Sequence, residues 1–244
     1  PLAAPMPVFD AYDGFASTYR RHWGPMVGDR WLSQIEDQVL RHIPERGRIL
    51  DLCCGTGELS MLLENRGYRV TGLDGSPKML ELARQTSPNS VFVHADMRDF
   101  AFDEPFDACL CMFDSLNHLM TVQDVIRSFA NVHRTLRAGG VFYFDMNTQN
   151  KYVNEWEGSF SFVDDDHVCA VRCSVDVDHR QATFCAAIFD QADGCWHRQD
   201  VELTQTWYAA EEISTSLESA GFREIEIDCA EPADTQRMFV RCVA

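Results

Sequence analysis

Apolar runs and amphipathic stretches alternate along the middle of the chain. Short apolar runs predict strands, and stretches whose apolar positions recur every three or four residues predict helices. Ser76 followed by Pro77 is typical of a helix start, and Gly139 with Gly140 is typical of a helix end. Such alternation predicts a parallel sheet with helices on both faces. The predicted strands are residues 48–52, 67–73, 91–93, 106–113 and 141–144, with helices at 58–65, from 77 onward and at 122–136.

Beyond Asn147 the pattern changes to alternating β-like runs. Four such runs are separated by turn-prone aspartates, so residues 148–208 are predicted to form an antiparallel β-insert. The chain is therefore divided into a largely helical segment at 1–45, a core at 46–147, the insert, and a closing segment at 209–244. The remaining predicted elements are a helix at 31–43, β-runs at 159–163, 167–177, 183–189 and 196–207, a helix at 210–219, and strands at 224–228 and 237–243.

Composition narrows the classes of function. The 244 residues carry 38 Asp and Glu against 21 Lys and Arg, a formal charge of −17, and no basic stretch that would grip nucleic acid or an anionic membrane. No apolar run reaches the roughly 18 residues of a spanning helix, and residues 1–7 lack the features of a secretory signal. The ten cysteines include no C-x-x-C pair and are expected to be reduced and buried. We therefore expect a cytoplasmic protein that binds neither nucleic acid nor membrane.

The strongest chemical signal is a strand that passes through two glycines into a helix. Gly55 and Gly57 permit a ligand to approach the bare backbone, and the helix start offers free N–H groups. A dinucleotide-binding loop has a third glycine where this chain has Ser60, which disfavours a nicotinamide-dependent oxidoreductase. The carboxylate of Asp51 suits a ligand with a cationic amine better than one with two phosphates. Asp74 stands at the end of the next strand, where such folds place an acid on ribose hydroxyls.

These motifs resemble those of class I S-adenosylmethionine-dependent methyltransferases. The resemblance implies a Rossmann-like α/β fold, with a seven-stranded, mostly parallel sheet whose last strand is antiparallel, and it implies S-adenosylmethionine as cofactor with S-adenosylhomocysteine as product. Cys53 departs from the pattern, since many members have glycine or another small residue there. The resemblance covers residues 46–147, through the motifs at 51–57, 71–74, 95–100, 106–113 and 136–141. The cofactor-binding residues it implies are Tyr12, Tyr19, Asp51, Cys53, Gly55, Gly57, Asp74, Gly75, Ser76, Met79, Asp96, Met97, Met112 and Phe113.

A narrower resemblance is to the aminosugar N-methyltransferases and their uncharacterised relatives. It rests on the lead at residues 12–19, the segment 114–118 after the fourth strand, and the β-insert. By this resemblance the segment 1–45 covers the cofactor, and the insert forms either the acceptor pocket or an oligomer contact, in a monomer or a homodimer. Core packing is an equal alternative for Tyr12, Tyr19 and Trp23, and core or interface packing is the usual role of a residue such as Trp156. The expected acceptor-binding residues are Tyr19, Trp23, Asn117, Asn147, Trp156 and Arg237.

Two residues after the fourth strand are candidates for catalysis. An amine nucleophile must lose its proton before it attacks, and the imidazole of His118 is suited to taking that proton near neutral pH. The alternative is a histidine at a helix start that hydrogen-bonds to the backbone. Asp114 is expected to contact the acceptor amine or the methionine end of the cofactor, or else to cap the next turn.

The function predicted from these features is methyl transfer to a small-molecule acceptor. An amine nitrogen is favoured over oxygen or sulfur, and a non-catalytic cofactor-binding protein is the alternative of another class. Asp145 and Asn147 raise the further alternative of the catechol-type methyltransferases, in which an Asp-Asn pair after the fifth strand holds a divalent metal. The two residues are separated by Met146 in this chain, and no metal is expected.

Overall fold

The computed structural model describes residues 10–27, 29–228 and 236–244, and it describes their side chains except at residues 10, 11, 29 and 30. The strands are β1 (Arg48–Leu52), β2 (Arg69–Asp74), β3 (Val91–His94), β4 (Phe106–Cys111), β5 (Leu136–Asn147), β6 (Gly158–Val163), β7 (His167–Asp176), β8 (Gln181–Ala192), β9 (Cys195–Thr206), β10 (Arg223–Asp228) and β11 (Arg237–Val243). The α-helices are α1 (Asp10–His22), α2 (Asp29–Gln38), α3 (Glu58–Glu64), α4 (Pro77–Thr86), α5 (Val122–Thr135), α6 (Gln149–Lys151) and α7 (Ala210–Ala220). Short 3-10 helices span Gly24–Met26, Leu40–His42 and Ser115–His118, and a π-helical turn spans Tyr152–Trp156.

Seven strands form the main sheet, in the order β10-β11-β5-β4-β1-β2-β3. β11 runs antiparallel to β10 and to β5, and the remaining neighbours pair in parallel. The predicted Rossmann-like fold, a mostly parallel seven-stranded sheet with an antiparallel last strand, is therefore confirmed. The carboxyl ends of β1, β2, β3 and β4 meet at one edge of this sheet, which is where ligands bind in open α/β sheets.

β4 shows why the sequence is continuously apolar at that point. Cys109 and Cys111 belong to the core cluster that also holds apolar residues of α5 and α7, whereas Ala108 and Leu110 belong to the cluster that includes α2 and α3. Successive side chains of a strand point to opposite faces. Helices cover both faces of the sheet, so each of these four positions is buried.

The fifth strand begins earlier than its sequence predicts. β5 starts at Leu136, directly after α5 ends, because Leu136 already pairs with Phe106 of β4 and the N–H of Gly139 bonds to the carbonyl of Ala244. A register shift then carries the strand to its regular pairing at Val141. The two glycines therefore lie inside an irregular strand start and do not end the helix.

The β-insert is a separate antiparallel sheet in the order β6-β7-β8-β9, which agrees with the predicted meander. Phe15 of α1 packs into the apolar cluster on one face of this sheet, together with Val171, Ile188 and Leu203. α1 also contacts α4 of the main unit. Helix α1 therefore lies between the insert and the main sheet, above the edge where β1 and β2 end.

Nine of the ten cysteines lie among the described residues, and all nine have free thiols. Five of the nine are buried as expected, whereas Cys53, Cys173 and Cys185 are half-buried and Cys195 is exposed. The described helices include none that is long and apolar enough to span a membrane.

Candidate functional site

Three acidic residues stand at the carboxyl edge of the main sheet. Asp51 lies near the end of β1, Asp74 is the last residue of β2, and Asp96 follows β3. Their strands are neighbours in the sheet, so residues distant in the sequence come to one place. The glycine loop connects β1 to α3 at the same edge.

Asp74 holds the glycine loop and the start of α4 in place. One carboxylate oxygen accepts the backbone N–H of Gly55 at 2.9 Å, and the other accepts the N–H of Ser76 at 2.8 Å. Burial raises the pKa of Asp74, and the backbone hydrogen bonds partly oppose that shift. Each carboxylate oxygen can accept more than one hydrogen bond, so Asp74 can still receive hydroxyl donors from a ligand.

Gly57 is required by packing between helices. Its φ of +87° lies in the left-handed region, and a Cβ at this position would stand 2.9 Å from Cα of Ala83. Gly57 therefore allows α3 and α4 to approach each other, and it does not line the ligand cleft. Ser76 does not line the cleft either. Its hydroxyl accepts the N–H of Met79 as the cap of α4 and donates to Asp13.

Asp51 is the hydrogen-bond partner of Ser60, the residue that stands where a dinucleotide-binding loop has its third glycine. The hydroxyl of Ser60 donates to its carboxylate at 2.6 Å, and both residues are buried. Burial raises the pKa of Asp51 to about 7, against the opposing effect of the Ser60 hydrogen bond. A cationic group bound beside Asp51 would favour the ionised carboxylate.

A cleft of about 840 Å³, partly open to solvent, lies over these strand ends. A smaller cavity of about 350 Å³ adjoins it, and Asp51 and Met112 lie on the wall of that cavity. Arg98, Ser115 and Leu119 line the main cleft without having been predicted. The predicted cofactor residues on the wall of the main cleft are Tyr12, Tyr19, Cys53, Gly55, Asp74, Gly75, Met79, Asp96, Met97 and Phe113.

The residues of the cleft fit S-adenosylmethionine. The ribose hydroxyls of this molecule are donors, and its methionine end carries an amine, so acceptor groups and negative charge are needed at those points. Asp74 and Asp51 supply them, while Met79 and Met97 provide apolar walls. Asp96 is bound through both oxygens to Arg98, with contacts of 2.6 to 3.2 Å, and the pKa of Asp96 is lowered because those bonds outweigh the effect of burial. An ionised Asp96 retains lone pairs that could accept from an adenine amino group.

A second cavity of about 1020 Å³ adjoins the cleft. Tyr12, Tyr19, Phe113 and His118 line both spaces, so they stand at the junction. Of the predicted acceptor residues, Asn117 is not on the wall, because its amide cross-links backbone groups of Asn147 and Thr206. The others, Tyr19, Trp23, Asn147, Trp156 and Arg237, all line the second cavity.

His118 has a defined tautomer. Its Nδ1 lies 2.8 Å from the carbonyl oxygen of Thr204, and since a carbonyl only accepts, Nδ1 carries the proton. The hydroxyl of Tyr12 lies 2.7 Å from Nε2, and the amide Nε2 of Gln205 lies 3.2 Å from it. Burial lowers the pKa of His118, against the opposing effect of Asp114. The imidazole is therefore neutral at pH 7, and its Nε2 faces the junction as a hydrogen-bond acceptor.

Asp114 and Arg237 form a buried ionic cluster with Asp145. Arg237 binds Asp114 at 2.7 Å and also binds Asp145, and its guanidinium lies over the ring of Trp31. Burial raises the pKa of Asp114, but Arg237 and a hydrogen bond from Gln205 outweigh it, so the pKa is lowered. Asp145 is thus occupied by Arg237, and no group of three or more metal-ligating side chains occurs among the described residues.

The turn after β4 is strained at two successive residues. Phe113 and Asp114 have φ of +62° and +51°, a region that is costly for residues with a Cβ. The N–H of Asp114 donates to Asp145 at 3.2 Å, which helps to hold the turn. The strained turn points Asp114 toward the second cavity, whose wall it forms with His118.

Gln205 is a further site residue that the sequence pattern does not identify. It lies near the end of β9, is buried, and donates to Asp114 at 2.7 Å. Its Oε1 accepts from the hydroxyl of Tyr152 at 2.9 Å, which fixes the orientation of the amide. Phe15, Phe184 and Trp31 also line the second cavity without having been predicted, and nothing in their local sequence separates them from core aromatics.

Comparison with known proteins identifies relatives over nearly the whole chain. Residues 49–140 match the model of a methyltransferase domain. The chain is 33% identical over 240 residues to a Bacillus subtilis (strain 168) protein named "Putative methyltransferase YqeM", covering 94% of this chain and 96% of that protein. It is 30% identical over 195 residues to the dTDP-3-amino-3,4,6-trideoxy-alpha-D-glucopyranose N,N-dimethyltransferase of Streptomyces venezuelae, covering 78% and 81% of the two chains. The crystal structure of an S-adenosylmethionine-dependent methyltransferase from Clostridium acetobutylicum has the same fold, with a TM-score of 0.79, 24% identity, and coverage of 95% of this chain and 98% of that one.

Proposed function

The chain belongs to the S-adenosylmethionine-dependent methyltransferases, and on this premise we propose that it transfers the methyl group to the nitrogen of a small-molecule amine. The cleft over β1, β2 and β3 is the proposed cofactor site, and the second cavity is the proposed acceptor site. His118 stands between them. The proposal follows from what this arrangement can do to a nucleophile.

The observation that carries the proposal is the position of His118 between the two cavities, with Nδ1 bound to Thr204 and Nε2 at the junction. An amine is protonated in water near neutral pH, and it attacks only after losing that proton. Nε2 of His118 is an acceptor in the present tautomer, and Thr204 holds the ring from the other side. The proton of a bound ammonium can therefore pass to Nε2, either directly or through the hydroxyl of Tyr12, which lies 2.7 Å from it.

The roles of the other residues follow from their contacts. S-adenosylmethionine supplies a methyl group already activated on a sulfonium, so the protein contributes mainly position and exclusion of water. Asp74 and Asp51 hold the cofactor at its ribose and amine, and Tyr12 and Tyr19 of α1 cover the junction. Asp114 lies on the acceptor wall, where its carboxylate attracts an ammonium and stabilises the charge on His118 after proton transfer.

The relatives support nitrogen as the target atom. The Streptomyces venezuelae protein is named for N,N-dimethylation of an aminosugar, and it covers more than two thirds of this chain. Transfer to oxygen or sulfur uses the same base and the same approach, so the target atom has to be measured. The substrate-binding roles of Trp23, Asn147 and Trp156 are part of the proposal, as they line the acceptor cavity.

The proposal is tested by following S-adenosylhomocysteine formation with panels of amines, phenols and thiols. We expect turnover with at least one amine. His118→Ala should lower kcat by about 10²- to 10⁴-fold, the usual contribution of a general base, with cofactor affinity unchanged. His179→Ala, at an exposed turn between β7 and β8, is the matched control. Turnover confined to phenols or thiols, or full activity of His118→Ala, would contradict the proposal.

A further inference from the structure

The charges around the acceptor cavity are already matched. Arg237 is engaged by Asp114 on one nitrogen and by Asp145 on another, and its face packs on Trp31. The Asp114 carboxylate is ionised, because its pKa is held below the ordinary value by Arg237 and Gln205 against the effect of burial. The cluster therefore has at least as much negative as positive charge, and each of the two terminal nitrogens of Arg237 is already paired with a carboxylate.

Lys151 is the other described base on this wall, and it is also paired. Its Nζ bonds to Glu155, which accepts in addition from the amide of Gln236. The side chains that the structure does not describe include one base, Arg30. Anion sites in proteins use free arginine forks, lysines or backbone N–H groups. An anionic ligand in this cavity would have to compete with carboxylates that already pair with both bases, and separating Arg237 from its buried partners is costly.

Two hydrogen-bond acceptor atoms belong to residues that line this cavity. Asn147 is buried, and its Oδ1 has no hydrogen-bond partner, so this oxygen awaits a donor. Nε2 of His118 is also a hydrogen-bond acceptor, and a ligand donor that reaches it takes the place of the Tyr12 hydroxyl, 2.7 Å away. A ligand that satisfies them must carry N–H or O–H groups, and an ammonium is the strongest donor of this kind.

Aromatic rings form the rest of the cavity. Trp23, Trp156 and Phe184 line it together with the two tyrosines of the junction. Ring faces attract organic cations and pack on apolar carbon, and they offer a phosphate neither a hydrogen-bond donor nor a positive charge. The charges, the hydrogen-bond acceptors and the aromatic walls thus favour the same class of ligand.

We infer that the methyl acceptor is an organic ammonium with an apolar or hydroxylated body and with no phosphate or carboxylate group. This inference rests on the proposed function for the statement that the bound amine is methylated. The inference excludes nucleoside diphosphate sugars and amino acids as methyl acceptors of this chain.

Matched pairs of ligands test the inference by calorimetric titration of the protein loaded with S-adenosylhomocysteine. The pairs are phenethylamine with phenylalanine and glucosamine with glucosamine 6-phosphate, which differ by an anionic group. We expect each free amine to bind at least tenfold more tightly than its anionic partner. Equal or tighter binding of the anionic partners, or no binding of either free amine, would overturn the inference.

A variant removes one negative charge from the cavity wall. Asp114→Asn releases one side of Arg237, so it should narrow or reverse the tenfold preference by strengthening the two anionic ligands. Asp193→Asn, at the exposed turn between β8 and β9, changes the net charge equally and should leave the preference unchanged. An unchanged preference in Asp114→Asn would contradict the assigned role of the pair.

Binding and turnover separate this inference from the proposed function. If the free amines bind tightly but no S-adenosylhomocysteine forms from S-adenosylmethionine, the proposed methylation is contradicted and the inferred ligand class is supported. If phenylalanine or glucosamine 6-phosphate is methylated in preference to the free amines, the inferred ligand class is contradicted and the proposed N-methylation is supported.

Discussion

Burial lowers the pKa of His118, and Gln205→Glu should raise the pKa of that imidazole by placing a carboxylate against it. The amide nitrogen of Gln205 donates to Asp114 at 2.7 Å and faces Nε2 of His118 at 3.2 Å. Tyr152 donates to the amide oxygen, so the side chain cannot turn over without losing two hydrogen bonds. A protonated Nε2 would therefore meet an N–H donor, which disfavours the imidazolium.

The size of the expected shift follows from that contact. Glutamate would place a carboxylate oxygen where the amide nitrogen now lies, in direct contact with Nε2. An opposite charge at this distance shifts a pKa by about 1 to 3 units, equivalent to about 1.4 to 4 kcal/mol in favour of the imidazolium. The repulsion between the new carboxylate and Asp114 reduces the gain, although Arg237 already offsets the charge of Asp114. We therefore expect a rise of at least one unit.

The assay is an NMR titration of protein with labelled histidine, loaded with S-adenosylhomocysteine, and it needs no knowledge of the acceptor. The His118 signal is identified by its loss in His118→Gln. In the unmodified protein it should titrate below the ordinary histidine value of about 6.5. In Gln205→Glu the midpoint should rise, and the acidic limit of activity should move to higher pH with it, because the base is competent only above its pKa.

Two further variants serve as controls, one for loss of the amide and one for the added negative charge. Gln205→Met removes the amide without adding charge, so the pKa of His118 should rise by less than in Gln205→Glu. Gln123→Glu adds the same charge on the exposed side of α5 and should leave His118 unmoved. A His118 midpoint that is the same in folded Gln205→Glu and in the unmodified protein would refute the reasoning.

Other predictions concern the cofactor cleft and the glycine loop. Because burial raises the pKa of Asp51 to about 7 and a cationic amine favours its ionised form, affinity for S-adenosylhomocysteine should increase as pH rises through 7. Calorimetry should show this increase lost in Asp51→Asn and kept in Asp103→Asn, and a pH-independent affinity in the unmodified protein would contradict it. Asp74→Asn should weaken the same binding by about 10- to 150-fold, equivalent to about 1.5 to 3 kcal/mol for hydrogen bonds to a charged group; an unchanged dissociation constant would remove Asp74 from the cofactor site. Gly57→Ala should lower the free energy of unfolding by about 1 to 3 kcal/mol more than Gly67→Ala, since both have positive φ but only the Cβ at 57 meets a neighbour; equal losses in urea titration would count against the packing role.

The main sheet could be predicted because each of its elements has a local signal. The apolar run of β4 and the Ser76-Pro77 start of α4 specify their elements without reference to distant residues. The early start of β5 could not be predicted, since it depends on pairing of Leu136 with Phe106 and on the carbonyl of Ala244. The glycines that end helices elsewhere serve here as an irregular part of a strand.

The cofactor cleft was more predictable than the acceptor cavity for a similar reason. Parallel strands bring their ends together, so Asp51, Asp74 and Asp96 could be expected at one edge before the structure was known. The partners of His118 are long-range, with Tyr12 about a hundred residues away on α1 and Gln205 on the insert. A glutamine on an alternating strand has no local feature that distinguishes it from the surface polar residues around it.

In the proposed reaction the methyl group reaches an amine nitrogen beside His118. The most direct measurement incubates the protein with S-adenosylmethionine labelled with ¹³C in the methyl group and an equimolar panel of amines, phenols and thiols, and then assigns the labelled product by carbon–proton correlation NMR. The label should appear as N-methyl, and His118→Ala should reduce it at least a hundredfold. Label found as O-methyl or S-methyl, or N-methyl product formed at the same rate by His118→Ala, would contradict the account.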